Sequence, residues 1–428
     1  MADLLSEFLA EDLERKVASG SRARTNTANL GLSTPSSIPR PLPKIDDGSI
    51  KVAYRIGSRG QLMNLVIPKL HITPQTFLGR SLILYGLSGS GKTVLLNHIL
   101  YVMRHLFPIV FIVCPTNSQN HSYDDVAPPG LIYEKPTLDL VKSIYARQKM
   151  VVNCYNLANN IDNLKALYSY ICSTPDEQER SRLERQFQKD IEELSRSGLG
   201  VGELKNRQKD LQKKFEDGLK HFYKTRIETH KERLKNRNLT PEQHLILTYL
   251  WVNPRALLVC DDCGTELNAL VALGKKEKDD VISNFFFKGR HAGMTHFYVF
   301  QDDKGLDSGI RKNAFYSIFT SKQVALAYFE RTANNFTKEQ KAEAIAAIEA
   351  VLGKSLDESG KPNHRKLIYS RETTPNFNYV LAEEHESFQM CGEAIRRYCE
   401  YVKNNDQGVD KTNPFYRNFY DVAKPGNN

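Results

Sequence analysis

Eight consecutive residues have the types and spacing needed to bind the phosphates of a nucleotide. They match the pattern G-x-x-x-x-G-K-[ST], whose glycines let the backbone wrap closely so that several N–H groups point into one concavity. The residues are Gly86, Leu87, Ser88, Gly89, Ser90, Gly91, Lys92 and Thr93. Lys92 is expected to reach the β- and γ-phosphates of ATP and the Thr93 hydroxyl to bind Mg²⁺. The sequence therefore predicts an ATP site here.

Two adjacent carboxylates follow a second apolar run, residues 256–260. Such runs form buried strands, and ligands bind at the carboxyl ends of strands in α/β sheets. We expect Asp261 to bind Mg²⁺ and Asp262 to orient or deprotonate the attacking water. Adjacent carboxylates favour hydrolysis over simple nucleotide binding. Cys260 and Cys263 have C-x-x-C spacing, but no second pair accompanies them, so zinc or redox chemistry is the weaker interpretation.

Three polar residues near later strands are further candidates for catalysis. Gln301 follows the apolar run 296–300 and could sense the γ-phosphate; the alternative is an ordinary glutamine at a strand end. Arg290 and Arg311 could stabilise the charge of the transition state as an arginine finger. The alternative for both is a plain surface arginine.

The elements that must position these residues alternate between strand and helix. Ser81–Tyr85 is expected to be a strand, followed by a helix from Thr93 towards Phe107 and a strand at Ile109–Val113. This alternation predicts a parallel sheet with helices on its faces. Later elements are expected as strands at 256–260, 296–300, 367–370 and Phe377–Leu381, and as helices at 279–287 and, after a capping box at Thr337 and Gln340, up to Leu352.

A charged segment interrupts the α/β pattern. Residues 176–238 are rich in Glu, Lys, Arg and Gln, with apolar residues at helical spacing on both sides of a glycine-containing break at 195–202. The segment is predicted to form an inserted helical hairpin, whose charges are a solvated surface or a DNA contact. Residues 1–18 are predicted to form a short amphipathic helix, either a frayed terminus or a docking helix, followed by a linker.

Composition limits the class of protein without specifying it. The chain has 428 residues, a formal net charge of +9 and seven cysteines. An odd, low cysteine count argues against a disulfide framework and for a reducing compartment. The basic balance permits a polyanionic partner. No signal peptide or apolar stretch long enough to span a bilayer is evident, so a soluble intracellular protein is expected.

Together the motifs resemble the FtsK–HerA superfamily of ring-forming P-loop NTPases, and within it the poxvirus-type virion DNA-packaging ATPases of large DNA viruses. The matching segments are residues 86–93, 114–117 (Cys-Pro-Thr-Asn), 257–262, 287–291, Gln301 and 310–313. The resemblance implies an additional-strand, RecA-like α/β core, Asp261 on Mg²⁺, Asp262 as the catalytic carboxylate and Gln301 as the sensor. It favours Arg311 over Arg290 as the finger. Many members carry Glu where this chain has Asp262.

The resulting expectation has five segments and one preferred function. Residues 49–175 and 239–385 are predicted to form the two halves of the ATPase core, around the hairpin insert. Residues 1–48 form the N-terminal helix and linker, and residues 386–428 a C-terminal helix and tail. The expected function is a motor that moves double-stranded viral DNA into a capsid as a homo-oligomeric ring, together with capsid or portal-vertex proteins. The expected location is host-cytoplasmic assembly sites and the virion.

Two alternatives remain open. One is a cellular or plasmid translocase or helicase of the same superfamily. The other is a scaffold protein whose binding to capsid components is switched by nucleotide. Exposed lysines at Lys275, Lys276, Lys278 and Lys304 could contact the DNA backbone, or could simply be surface residues.

Overall fold

A computed structural model describes residues 48–56, 60–235, 237–354, 356, 360 and 363–404. The predicted N-terminal helix at 1–18 and almost all of the linker lie outside the described residues. So does the tail beyond Asn404. The described part divides into two compact units, Lys149–Pro254 and the remainder.

The larger unit is built on one sheet, which contains eight strands within the described residues. The strands are β3 (Ser81–Tyr85), β4 (Ile109–Val113), β5 (Ile132–Tyr133), β6 (Ala256–Asp261), β7 (Met294–Phe300), β8 (Tyr316–Phe319), β9 (Arg365–Tyr369) and β10 (Phe377–Leu381). Their order is β10-β9-β8-β3-β7-β6-β4-β5. The six strands β3 to β8 pair in parallel, whereas β9 and β10 are antiparallel. β7 thus lies between β3 and β6, which is the additional-strand order that the resemblance implies.

Helices cover both faces of the sheet. In this unit they are α1 (Lys92–Met103), α2 (Asn117–Asn120), the start of α3 (Leu138–Ala158), α9 (Gly264–Glu277), α10 (Asp280–Lys288), α11 (Ser308–Asn313), α12 (Lys322–Glu330), α13 (Lys338–Leu352) and α14 (Glu393–Asn404). Alternate residues of β3 belong to different cores: Leu82 and Leu84 pack with α1, while Ile83 and Tyr85 pack on the other face. A sheet buried on both faces explains why its strands are apolar runs.

The sequence expectation is confirmed for the fold class and corrected in detail. The chain is an α/β P-loop protein. Helix α1 ends at Met103 rather than near Phe107. The first two strands of the predicted 49–175 half, β1 (Ile50–Ile56) and β2 (Gln61–Ile67), do not belong to the eight-stranded sheet. They pair with each other antiparallel in a separate two-stranded sheet. The capping box of α13 is present, with the Thr337 hydroxyl accepting from Gln340 N at 3.2 Å.

The smaller unit, Lys149–Pro254, is helical. It contains the end of α3, α4 (Ile161–Tyr168), α5 (Thr174–Ser195), α6 (Val201–Thr229), α7 (Lys231–Lys235) and α8 (Pro241–Thr248). Its core includes Tyr168, Phe222 and Ile227. Beyond this core, α5 and α6 form the long hairpin, where the rings of Phe187 and Phe215 stack at 4.3 Å. Among the described helices, none has the length and hydropathy of a membrane-spanning segment.

Candidate nucleotide-binding site

The glycine-rich loop at 86–93 joins the carboxyl end of β3 to the start of α1. A Cβ on Gly86 would lie 1.8 Å from the Thr320 Oγ1 and 2.7 Å from the Ser90 Oγ, so no side chain fits there. Gly89 and Gly91 have φ angles of +72° and +85°, in the left-handed region that favours glycine. The sequence pattern therefore reflects two separate needs, close packing at Gly86 and positive φ further along the loop.

The loop ends at the amino terminus of a long helix. Helix α1 begins at Lys92, and Gly91, at its N-cap, has no side chain to satisfy the first amides. The first-turn N–H groups of an α-helix have no intrahelical acceptors, and they carry the positive end of the helix dipole. This is a cradle for an anion such as a phosphate.

The Lys92 ammonium lies within this loop. Its Nζ donates to the carbonyl oxygens of Gly86 at 2.6 Å and Leu87 at 3.0 Å. Burial lowers the pKa of Lys92, and the nearby carboxylates of Asp261 and Asp262 oppose that effect. The same two carboxylates that the sequence singled out thus act electrostatically on the loop lysine.

Two polar residues that the sequence did not single out also contact the loop. The buried Lys366 of β9 donates from Nζ to the Ser90 carbonyl oxygen at 2.9 Å, and its pKa is lowered by burial. The Thr320 hydroxyl, at the exit of β8, lies 2.5 Å from the Ser90 Oγ. Both residues reach the loop only because β8 and β9 follow β3 in the sheet, an order that no local sequence pattern reveals.

Asp261 and Asp262 lie at the carboxyl end of β6, two strands from β3. Asp261 is partly buried, and burial raises its pKa, while a hydrogen bond from Tyr123 and the charge of Lys92 lower it. Asp262 is exposed and has a φ of +53°, with its backbone N donating to the Val299 carbonyl at 3.0 Å. The left-handed turn separates the two carboxylates immediately after the strand.

The hydrogen bond to Asp261 comes from a fully buried tyrosine. Tyr123 Oη donates to Asp261 Oδ2 at 2.7 Å. The Tyr123 backbone N donates in turn to the Oδ1 of Asn117 at 3.0 Å, and the Asn117 amide donates to Asp124 at 2.8 Å. The Cys-Pro-Thr-Asn segment after β4 therefore supports the second acidic site through Tyr123, which sequence analysis missed because only the fold brings residues 123 and 261 together.

The remaining predicted residues lie in different surroundings. Gln301 directly follows β7 and is exposed, at the same sheet edge as the loop and Asp261. Arg290 is exposed in the 3₁₀ turn Gly289–Ala292, which precedes β7 at the opposite edge. Arg311 of α11 is buried, and its guanidinium donates to the Asp303 carbonyl oxygen. The structure thus brings residues 86–93, Asp261, Asp262 and Gln301 to one edge, and it does not bring Arg290 there.

The donor groups fit a nucleotide with a divalent cation. The loop supplies backbone amides that no Cβ obstructs, and Lys92 supplies a cation. The Thr93 hydroxyl is exposed at the start of α1, and Asp261 supplies a carboxylate, which are the oxygen ligands that Mg²⁺ prefers. Fold and site together define the chain as an α/β P-loop ATPase.

Comparison with known proteins gives relatives in large DNA viruses. No family model matches the chain. It is 28% identical to the uncharacterized protein B354L of African swine fever virus (isolate Pig/Kenya/KEN-50/1950) over 372 residues, 83% of this chain and 96% of that protein. A 71-residue segment is 30% identical to the uncharacterized protein 075L of Invertebrate iridescent virus 6, covering 17% of this chain and 28% of that protein.

Solved structures that resemble the chain have low similarity. The conjugation coupling protein TcpA of pCW3 with ATPγS is 13% identical, with a TM-score of 0.31 over 81% of this chain and 70% of that one. The genome packaging NTPase B204 of Sulfolobus turreted icosahedral virus 2 with ATP-γS is 12% identical, with a TM-score of 0.28 over 72% and 98%. The predicted resemblance is confirmed in two respects: the fold is that of a P-loop protein, and the relatives are proteins of large DNA viruses.

Proposed function

We propose that this ATPase is a DNA-translocating motor that packages a double-stranded viral genome into a capsid. The observation that carries the proposal is the arrangement around β7. Lys92 lies on one side of this strand, Asp261 and Asp262 lie on the other, and Gln301 follows its end. A protein that only binds nucleotide does not need a second carboxylate beside the metal ligand. The arrangement supports turnover.

In the proposed mechanism each side chain has one role. The loop amides and Lys92 bind the β- and γ-phosphates, and Thr93 and Asp261 hold Mg²⁺, which would neutralise phosphate charge when bound. Asp262 accepts a proton from the attacking water. Gln301 senses the γ-phosphate from the end of β7. In a homo-oligomeric ring an arginine from a neighbouring copy would complete the site; Arg290 is exposed, whereas Arg311 would first have to leave its contact with Asp303.

Contact with DNA is proposed to be electrostatic and independent of sequence. Lys276 and Lys278 are exposed at the end of α9, and Lys304 is exposed after β7. Lys275 is also exposed, but its Nζ lies 2.7 Å from Asp307 Oδ2. Lys276 and Lys278 are therefore the cleaner positions for a test by charge reversal. Lys338, exposed on α13, provides a matched control.

The relatives come from large DNA viruses, which favours a viral role such as packaging over a cellular or plasmid translocase. The proposed partners are duplex DNA, other copies of the chain, and capsid or portal-vertex proteins. The proposed location is the host cytoplasm at sites of virus assembly, with the virion as a second location.

Steady-state ATP hydrolysis with and without duplex DNA tests the motor. We expect hydrolysis that DNA stimulates, and we expect Asp262→Asn to retain ATP binding while turnover falls by at least about 100-fold. Asp280→Asn, an exposed carboxylate at the start of α10, is the control. Nucleotide binding without hydrolysis would favour the switched scaffold, and hydrolysis indifferent to DNA would contradict translocation. Loss of the gene during infection, scored as empty against filled particles, tests packaging itself.

A further inference from the structure

Two histidines are in contact beside helix α1, away from the end of the helix that joins the glycine-rich loop. His98, in the middle of α1, is buried, and its Nδ1 lies 2.7 Å from the Nε2 of His385. His385 belongs to the segment that follows β10, 287 positions along the chain from His98. A third potential ligand, the exposed carboxylate of Glu383, completes the cluster, in which the three ligand atoms lie within 4.8 Å of one another.

We propose that His98, Glu383 and His385 form a binding site for a divalent transition metal, with Zn²⁺ as the metal that suits this donor set. Two imidazoles and one carboxylate, with a fourth position left to water, are a known set of zinc ligands, whereas Mg²⁺ and Ca²⁺ prefer oxygen. Nothing in the proposed ATPase mechanism uses these three residues.

The geometry needs only a small adjustment to hold the metal. With zinc–nitrogen bonds of about 2.0–2.1 Å, two imidazole nitrogens in a tetrahedral site are about 3.3 Å apart. The observed separation of 2.7 Å is a hydrogen bond between the rings. A rotation that opens the pair by about 0.6 Å would replace this hydrogen bond with two metal bonds.

The surroundings orient one of the two imidazoles, as binding of a metal requires. The ring of Tyr101 stacks on His385 with centroids 4.0 Å apart and planes 9° apart, which fixes the orientation of the second ligand.

The cluster is accessible from solvent. His385, together with Tyr101 and Arg104, lines a groove of about 540 Å³. The groove supplies an entry path for a metal ion, which a completely enclosed cluster would lack. Bound metal would fasten the segment after β10 to the helix that carries the phosphate loop.

Zinc titration of the full-length, metal-stripped protein tests the proposal, using competition with a chromophoric chelator in excess Mg·ATP. We expect one Zn²⁺ per chain. Loss of a residue that only hydrogen-bonds a metal ligand costs roughly 10- to 100-fold in metal affinity. His385→Ala removes a proposed ligand at a half-buried position, so it should lower the zinc affinity by more than this. Glu383→Gln should lower the zinc affinity less than His385→Ala does. His105→Ala and Glu384→Gln alter neighbouring exposed residues and should bind as the parent does.

The absorption spectrum with Co²⁺ in place of Zn²⁺ identifies the ligands independently. We expect weak visible bands that disappear in His385→Ala, without the intense near-ultraviolet bands of thiolate ligands. Thiolate bands would place the metal on cysteines instead. Absence of zinc binding, or equal binding by His385→Ala, would show that the pair is only a hydrogen-bonded contact and would overturn the proposal.

Discussion

Removing a single oxygen atom, the phenol hydroxyl of Tyr123, should weaken the response of the ATPase to Mg²⁺. In Tyr123→Phe the carboxylate of Asp261 loses the donor that now lies 2.7 Å from its Oδ2. The ring itself is fully buried and keeps its packing, so the change isolates the hydrogen bond.

The size of the effect follows from the charge of the acceptor. A hydrogen bond to a charged group contributes about 1.5–3 kcal/mol, and solvent does not screen this bond because the tyrosine is buried. That range corresponds to about a 10- to 150-fold change in an equilibrium constant. Loss of partners that orient metal ligands costs a similar 10- to 100-fold in affinity or activity. We therefore expect the Mg²⁺ concentration for half-maximal hydrolysis to rise at least about tenfold.

The same variant should shift the acidic limb of the pH–activity profile. Burial raises the pKa of Asp261 above its ordinary value, and the Tyr123 hydrogen bond opposes this by stabilising the ionised form. Without the bond the pKa rises further, so Asp261 becomes protonated at a higher pH. Metal-dependent hydrolysis should accordingly be lost at a higher pH than in the parent protein, while the basic limb stays unchanged.

Hydrolysis titrated with free Mg²⁺ at saturating ATP, repeated across pH, measures both effects. Tyr133→Phe is a matched control, because its phenol is also buried but donates to a neutral carbonyl, that of Gly130, at 3.1 Å. The control should behave as the parent does. If Tyr123→Phe kept both the parent Mg²⁺ dependence and the parent acidic limb, Asp261 would not be the metal ligand that we infer.

Three further substitutions test other contacts of the larger unit. Gly86→Ala should abolish binding of a fluorescent ATP analogue, because its Cβ would lie 1.8 Å from a threonine hydroxyl; Gly218→Ala, with open space around it on α6, should bind normally. Lys366→Met should weaken nucleotide binding about tenfold, because it removes a charge-assisted hydrogen bond to the loop. If the variant bound nucleotide as tightly as the parent protein, the lysine would have only a structural role. Arg331→Met should lower the free energy of unfolding by about 1.5–3 kcal/mol in denaturant titration, because the buried Asp303 carboxylate loses the guanidinium 2.8 Å away and keeps Arg311, 3.9 Å away. An unchanged free energy of unfolding would mean that water or another group replaces the lost donor.

The parts of the site that sequence predicts are those encoded by neighbours in the chain. The loop at 86–93 is a contiguous pattern, and its strand and helix adjoin it. Asp261 and Asp262 were predictable because a continuous apolar run marks a buried strand and its end. The capping box at Thr337 is similarly local. In each case the physical cause lies within a few residues of the feature.

Residues that depend on the order of strands were not predictable in the same way. Lys366 reaches the loop because β9 lies two strands from β3, and its sequence context shows only a charged residue at the start of an apolar run. Tyr123 looks like an aromatic residue in a connecting segment until the fold places it against Asp261. Arg311 is the opposite case. The sequence pattern marks it as a candidate finger, but the pattern does not show that the side chain is buried against Asp303.

These long-range contacts join the candidate nucleotide site to two other strands of the sheet. The phosphate loop is held at once by Lys366 from a strand near the end of the described chain, and by the Thr320–Ser90 contact from β8. A movement of the loop would therefore change contacts with β8 and β9 directly, independently of the role proposed for Gln301. Coupling of the loop to these strands requires a structural element that can adopt two conformations. A second conformation would show first as a change in the contacts of Lys366 and Thr320 with Ser90.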